Sequence, residues 1–260
     1  SMALSRLNIE DPSFDILRNK ETGLLLIGGY GLSHIGYIID RMKNLYKVGV
    51  DFEDQKIVYR ETIKKKGEGE GKHKKQSGGA GQFGHVHIRF EPSDKDFEFA
   101  EEVFGGAVPK GYFPAVEKGL IKTLEKGPLA GFPVIKIKAT LYDGSYHSVD
   151  SNEISFVLAA DLAFKAALDK ISPTLLEPIF KLSIMVKENY LGDVMGDINK
   201  RRGKILGMEQ FDGYTLITAE APEAEIVSYA IDLKAMTQGS GRFERIFIRR
   251  SMYFNNQSLL

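Results

Sequence analysis

The chain has 260 residues, 43% hydrophobic and 27% charged, an ordinary globular composition with room for two domains or three small ones. Its 35 Lys and Arg balance 35 Asp and Glu, so net charge alone does not mark a nucleic-acid binder. Cysteine is absent, which excludes disulfides and cysteine-ligated zinc and suits a reducing, cytoplasmic setting; no apolar run nears the ~18 residues of a membrane span, and no secretory-signal pattern opens the chain.

Residues 4–9 read as a short helix ending near Asp11-Pro12. Residues 14–18 and 24–27 read as a hairpin with Glu21, Thr22 and Gly23 in its turn. A helix over 32–46 turns Ile35, Ile38, Ile39, Met42 and Leu45 inward, and 48–52 form a strand. This αββαβ order is one strand short of a ferredoxin-like domain, so an uncovered edge or apolar face is expected, favouring disorder or self-association of the front.

Residues 64–84 are rich in Gly and Lys with almost no apolar side chain, the composition of a loop or mobile linker. Val86, Ile88 and Phe90 alternate along a strand over 85–91. A helix over 114–126 has Val116, Leu120, Ile121 and Leu124 inward, and Ile135, Ile137, Ala139 and Leu141 line one face of a long strand. Asp150 and Glu153 have the spacing of a capping box, opening a helix through Ile154, Val157, Leu158, Leu162 and Leu168 that stops at Ser172-Pro173.

The last third has the cleanest pattern. Phe180, Leu182, Ile184 and Val186 alternate in a strand, and 192–202 form a helix stopped by Gly203. Strands over 204–211 and 214–221 meet at Asp212-Gly213, a hairpin signal. Pro222 opens a helix striped by Ile226, Val227, Ala230, Ile231 and Leu233, and Phe243, Ile246 and Ile248 lie in a final strand. The order βαββαβ is the ferredoxin-like split βαβ.

Signals for catalysis are absent: there is no Walker A pattern, kinase set or Gly-x-Ser-x-Gly elbow. His85 and His87 share a strand face and could pair on a metal, but no third ligand is evident, and an exposed strand face is the preferred account. His34 fits a capping or packed histidine. Basic residues cluster at Lys64, Lys65, Lys66, Lys72, Lys74 and Lys75, at Lys200, Arg201, Arg202 and Lys204, and at Arg242, Arg245, Arg249 and Arg250. Such patches bind phosphate even on a neutral chain, although a solvated surface explains any one of them alone.

Two loops carry more. Residues 72–82 combine lysines with glycines, which let backbone N–H groups approach a phosphate or base edge. Residues 143–150 join a strand to a helix and place Tyr146 and His147 near the apex, where they can stack on or hydrogen-bond a nucleobase.

At these loops the sequence resembles domain IV of bacterial elongation factor G. The resemblance rests on Gly81-Gln82-Phe83-Gly84-His85-Val86, Gly127-Pro128-Leu129-Ala130-Gly131-Phe132-Pro133 and Gly144-Ser145-Tyr146-His147-Ser148-Val149-Asp150-Ser151. Leu175-Leu176-Glu177-Pro178-Ile179 and Gly192-Asp193-Val194-Met195-Gly196-Asp197-Ile198-Asn199-Lys200-Arg201-Arg202-Gly203 follow in order, and Glu10-Asp11-Pro12-Ser13-Phe14 and Tyr59-Arg60-Glu61-Thr62 precede.

The resemblance implies an α+β chain of three parts. These are a truncated ferredoxin-like domain III over 1–56, domain IV with a left-handed βαβ crossover over 57–177, and a ferredoxin-like domain V over 178–260. It implies no catalytic residue, metal or cofactor here; GTP and Mg would belong to an upstream domain of the parent. Expected partners are the ribosome, at its small-subunit decoding region and large-subunit stalk base, with messenger and transfer RNA; no membrane is expected, and the chain is expected to be a monomer. The implied RNA-contacting tip is Ser77, Gly78, Gly79, Gly81 and Gln82 with Ser145, Tyr146 and His147; phosphate contacts are expected from Lys72, Lys74, Lys75, Arg201, Arg202 and Lys204. Ala80 replaces a common basic residue, Gly-Tyr-Gly-Leu-Ser-His at 29–34 replaces Gly-Met-Gly-Glu-Leu-His, and Asp54-Gln55-Lys56 replaces Gly-x-Pro, which points to a diverged paralogue or a divergent lineage of the family. Rival functions are ribosome recycling, ribosome protection against drugs, and an acylphosphatase-like enzyme using Asn199, Arg201 and Arg202.

Overall fold

The structure is a computed structural model that describes residues 2–19, 23–50, 55–76 and 81–253, without the side chain of Leu32. Its elements in chain order are α1 (Met2–Glu10), β1 (Asp15–Arg18), β2 (Leu25–Gly28), α2 (Leu32–Tyr46), β3 (Arg60–Ile63), β4 (Gly67–Lys75), β5 (Gln82–Pro92) and β6 (Phe97–Glu101). There follow α3 (Phe113–Leu124), β7 (Ile137–Ser145), α4 (Glu153–Ile171), β8 (Pro173–Lys187), α5 (Leu191–Lys200), β9 (Lys204–Phe211), β10 (Tyr214–Pro222), α6 (Glu223–Ile226), α7 (Tyr229–Met236) and β11 (Arg242–Met252). The fold is α+β and packs as two compact units, one holding the residues up to 58 with 178–250, the other 59–177 with the residues after 250.

The second unit is built on a sheet of order β4-β5-β7-β6. Its pairs are antiparallel except β6 and β7, which run parallel and are joined through α3. Val86, Ile88 and Phe90 of β5 and Ile137, Ala139 and Leu141 of β7 are buried with Val116, Leu120 and Leu124 of α3, as the period-2 and helical spacings predict.

The segment expected to be a linker is instead largely strand. β4 has the sequence Gly-Glu-Gly-Glu-Gly-Lys-His-Lys-Lys and pairs in continuous register from Gly67↔Phe90 to Lys75↔Gln82. It alternates after all, but its inward residues are glycines, which hydropathy does not score. Their role is close approach. A Cβ on Gly69 would sit 1.9 Å from the Ala163 carbonyl oxygen, and one on Gly71 1.9 Å from that of Ala159, so α4 lies directly on the strand backbone.

The same packing sets which face of α4 is buried, with Val157 and Leu168 at its margin. The buried stripe is Phe156, Ala159, Ala160, Ala163, Phe164, Ala167 and Ile171, whereas Ile154, Leu158 and Leu162 are exposed. Small side chains are needed where a helix meets a glycine strand, so alanine rather than leucine faces inward. Ile121 of α3 is likewise exposed. The N-cap of α4 is Asn152, whose Oδ1 accepts from Ser155 N at 3.0 Å, not Asp150.

A buried carboxylate organises the loop after α3. Glu61 on β3 is fully buried; its Oε2 accepts from Leu129 N at 2.9 Å, and its Oε1 from Ala130 N at 2.9 Å and Phe132 N at 3.2 Å. β3 pairs antiparallel with the start of β8, which begins at Pro173 rather than at Phe180 as expected.

In the first unit, β8, β9, β10 and β11 take the order β11-β8-β10-β9. Fourth-first-third-second is the strand order of the split βαβ fold. Leu182, Ile184, Val186, Ile217 and Ala219 of the sheet bury against Val194 and Ile198 of α5 and Ile226, Tyr229 and Leu233 of the α6–α7 segment. The single helix expected after Pro222 is broken between α6 and α7, which rotates Val227, Ala230 and Ile231 outward.

The front of this unit is the β1–β2 hairpin with α1 and α2 around Leu4, Leu7, Phe14, Ile38 and Met42. Residues 48–50 are in no strand, and 51–52 lie outside the described residues. Lys47, in the left-handed region at φ 53°, turns the chain at the end of α2. Leu45, expected inward, is exposed, as are Leu17, Val48 and Val50.

Candidate nucleic-acid interface

The structure brings two of the predicted segments together at one end of the four-stranded sheet. β4 and β5 close at the pair Lys75↔Gln82, and β5 passes beside β7, where His85 pairs with Ser145. Gly81 and Phe83 therefore lie beside Asp150 and Ser151, at the end of the loop that carries Tyr146 and His147; Gly81 is buried there and Gln82 half-buried. Ser77, Gly78, Gly79 and Ala80 lie outside the described residues, as do Glu21, Thr22 and Asp54.

Hydrogen bonds, not apolar burial, fasten the two segments. Gly81 N donates to Asp150 Oδ1 at 3.1 Å, and Phe83 N to the Asp150 carbonyl at 2.9 Å. Ser151 Oγ donates to the Phe83 carbonyl at 2.9 Å and accepts from His147 N at 2.8 Å. Asp150, read from sequence as a cap, is thus the clasp between the loops, a role invisible from local spacing.

The His147 side chain is 54% exposed, and its ring lies 6.4 Å from that of Phe83. Its Nδ1 accepts from Val149 N at 3.3 Å and Asp150 N at 3.2 Å. With two amide donors on Nδ1, that nitrogen has no proton for Asp150 Oδ2, 3.3 Å away, and the neutral ring carries its proton on Nε2. The loop therefore turns a fixed ring with an N–H donor toward solvent. Tyr146 beside it is 49% exposed.

Charge surrounds these side chains. Lys72, Lys74 and Lys75 are exposed along β4, with Lys72 Nζ 6.0 Å from the centre of the Phe83 ring. His73 Nε2 and Gln82 Oε1 are hydrogen-bonded at 2.9 Å. On the open face of the sheet, His85 bridges Ser145 Oγ (Nδ1, 2.8 Å) and Glu70 Oε1 (Nε2, 2.9 Å). The hydrogen bond from His85 and the charge of His87 hold the Glu70 carboxyl below its ordinary range. Glu70 is thus the acidic neighbour that sequence reasoning did not find, because β4 had to be recognised as a strand first.

In the second basic cluster Lys200, Arg202 and Lys204 are exposed, and Arg201 is turned inward. Arg201 donates from Nε to Asp197 (2.6 Å), from Nη1 to the Glu225 carbonyl (2.8 Å) and from Nη2 to Asp232 (2.8 Å), over the Tyr229 ring. It is a structural arginine with no open fork for a phosphate, and this also removes the anion loop that an acylphosphatase-like site would need. Arg202 pairs with Glu225, and only Lys204 of the three expected contacts is exposed without an ion pair among the described residues. Arg249 pairs with Glu220, and Arg245 donates to Gln55. His34, near the start of α2, accepts at Nδ1 from Tyr30 N and lies with Nε2 3.1 Å from Ser13 Oγ, so it ties the preceding turn rather than capping an amide of the helix itself.

Comparison with known proteins decides the family. Residues 1–54 match the model of elongation factor G domain III, 55–172 that of elongation factor G domain IV, and 174–253 that of the elongation factor G C-terminus. The chain belongs to the elongation factor G family. It is 49% identical to elongation factor G of Mycoplasma genitalium over 244 residues, which cover 94% of this chain and 36% of that protein. It is similar to a crystal structure from Thermus thermophilus with a TM-score of 0.83 and 43% identity, over 97% of this chain and 38% of that one. The chain thus spans a little over a third of the curated elongation factor G it matches. No helix among the described residues is long and apolar enough to cross a membrane.

Proposed function

We propose that this chain is the ribosome-engaging portion of an elongation factor G translocase, and that the joined loops of its domain IV grip the messenger/transfer RNA duplex in the decoding region during GTP-driven movement. Domain IV is assigned to 57–177, with domain III before it and domain V after it, facing the stalk base of the large subunit. The observation that carries this reading is the joining of the start of β5, at Gly81, to the loop after β7, at Asp150, at one sheet end, which leaves Tyr146 and His147 exposed near the exposed lysines of β4, with Gln82 and Ser145 half-buried and Gly81 buried. A hydrogen-bonded, solvent-facing histidine beside an exposed tyrosine suits restraint of a nucleic-acid backbone or base edge. The action proposed is mechanical: the loops restrain the duplex and break no bond. GTP and Mg would be held by the parent's nucleotide-binding domain, in the cytoplasm.

In the full-length factor, His147→Ala is expected to slow single-turnover translocation while GTP hydrolysis stays near wild type; unchanged translocation would refute the grip. Removing Lys72, Lys74 and Lys75 together is expected to lower the log–log salt slope of RNA binding by roughly 0.7–0.9 per lysine that contacts phosphate.

A further inference from the structure

We propose that Glu70, His85 and His87 form a binding site for a divalent transition-metal ion of the zinc type on the open face of the domain IV sheet. His85 and His87 stand two residues apart on β5, so the pleat puts both rings on one face. Glu70 on β4 is directly opposite His87 in the register. The three ligand atoms lie within 4.8 Å of one another. Atoms held about 2.1 Å from a tetrahedral metal are roughly 3.4 Å apart. The remaining closure is small, and Glu70, whose side chain is 58% exposed, is free to make it.

The donor set fits the ion. Two imidazoles and one carboxylate are ligands for zinc and its neighbours, and leave a position for water. His85 is already oriented for ligation: its Nδ1 is hydrogen-bonded to Ser145 Oγ and its Nε2 points at Glu70 Oε1. The metal would take the place of the proton now shared between His85 Nε2 and Glu70. The Glu70–His85–Ser145 chain stands without His87, whose ring makes no hydrogen bond among the described residues but packs edge-on to His85 at 4.8 Å. A ligand role accounts for that placement. Lys72, opposite His85, opposes a cation, and Glu68 further along the same face favours one.

The test is calorimetric titration of the untagged 260-residue chain with zinc chloride, paired with the visible absorption of the cobalt(II) form. One equivalent is expected to bind, with the absorption of a low-coordinate nitrogen–oxygen site and a zinc-dependent rise in melting temperature. His87→Ala, on an exposed face, is expected to melt like wild type without zinc and to bind it at least about a hundredfold more weakly; Ser145→Ala weakens binding about tenfold. His34→Ala leaves binding unchanged. Absence of stoichiometric binding to the wild type, or binding that His87→Ala leaves intact, overturns the site.

Discussion

Replacing Gly71 by alanine tests the seating of α4 on β4. The added Cβ would meet the Ala159 carbonyl oxygen at 1.9 Å and Ala163 N at 2.5 Å, both backbone atoms that no rotamer change can move. Restoring ordinary van der Waals contact requires the helix to withdraw by about 1.5 Å, and a radial gap of 0.5–1 Å already forfeits a quarter to a half of a dispersion contact. The face that would lift carries Phe156, Ala159, Ala160, Ala163, Phe164, Ala167 and Ile171, all buried. The cost is expected at the upper end of overpacking or beyond, about 3 kcal/mol, which lowers the melting temperature by roughly 10 °C for a unit of this size. Thermal and urea unfolding of the whole chain, followed by circular dichroism, provide the measurement. Gly111→Ala, with nothing within 4 Å of its Cβ, is the control and should lie within about 0.5 kcal/mol of wild type. Gly69→Ala should behave like Gly71→Ala, and the double variant should cost less than the two together, because a helix lifted for one methyl admits the second. A Gly71→Ala chain that melts within about 1 °C of wild type would refute the packing.

Other substitutions follow from single contacts. Glu61→Ala leaves the amides of Leu129, Ala130 and Phe132 without their acceptor and is expected to destabilise by about 4 kcal/mol, read as a lower urea midpoint. Tyr229→Phe removes a buried hydroxyl with no hydrogen-bond partner among the described residues, so stability read from urea unfolding should hold or rise by up to ~1 kcal/mol. Burial pushes the Glu223 carboxyl above its ordinary 4.5, against the opposing charges of Arg245 and Arg250. The folded state therefore holds that proton more tightly than the unfolded chain, and stability gained from it grows as pH falls from above the folded value to about 4.5. Glu223→Gln should accordingly be the more stable chain at pH 7, with the difference vanishing below about pH 4.5 in pH-dependent melts.

The sequence made the β5 core legible because Val86, Ile88 and Phe90 alternate with polar residues, and the Asp212-Gly213 hairpin because its turn chemistry is local. It hid β4, because glycine contributes nothing to a hydropathy pattern even where it sets the distance between two elements. It left the face of α4 open for the matching reason: leucine outranks alanine in hydropathy, but alanine is what fits over a glycine strand. The loops were recognised as a candidate tip by composition and resemblance, whereas their clasp through Asp150 and Ser151 depends on partners 68 or 69 residues away. Glu61 and Glu70 were missed for that same reason, since each acquires its role only through strand register.

The clasp has a consequence for how such a surface changes over time. The loop ends are tied through main-chain amides and carbonyls to two short polar side chains, and none of the exposed residues between the ties helps fill the hydrophobic interior. Tyr146 can then be exchanged for other residues with little effect on whether the scaffold forms, so selection is free to retune what that fingertip touches while Asp150 and Ser151 stay put.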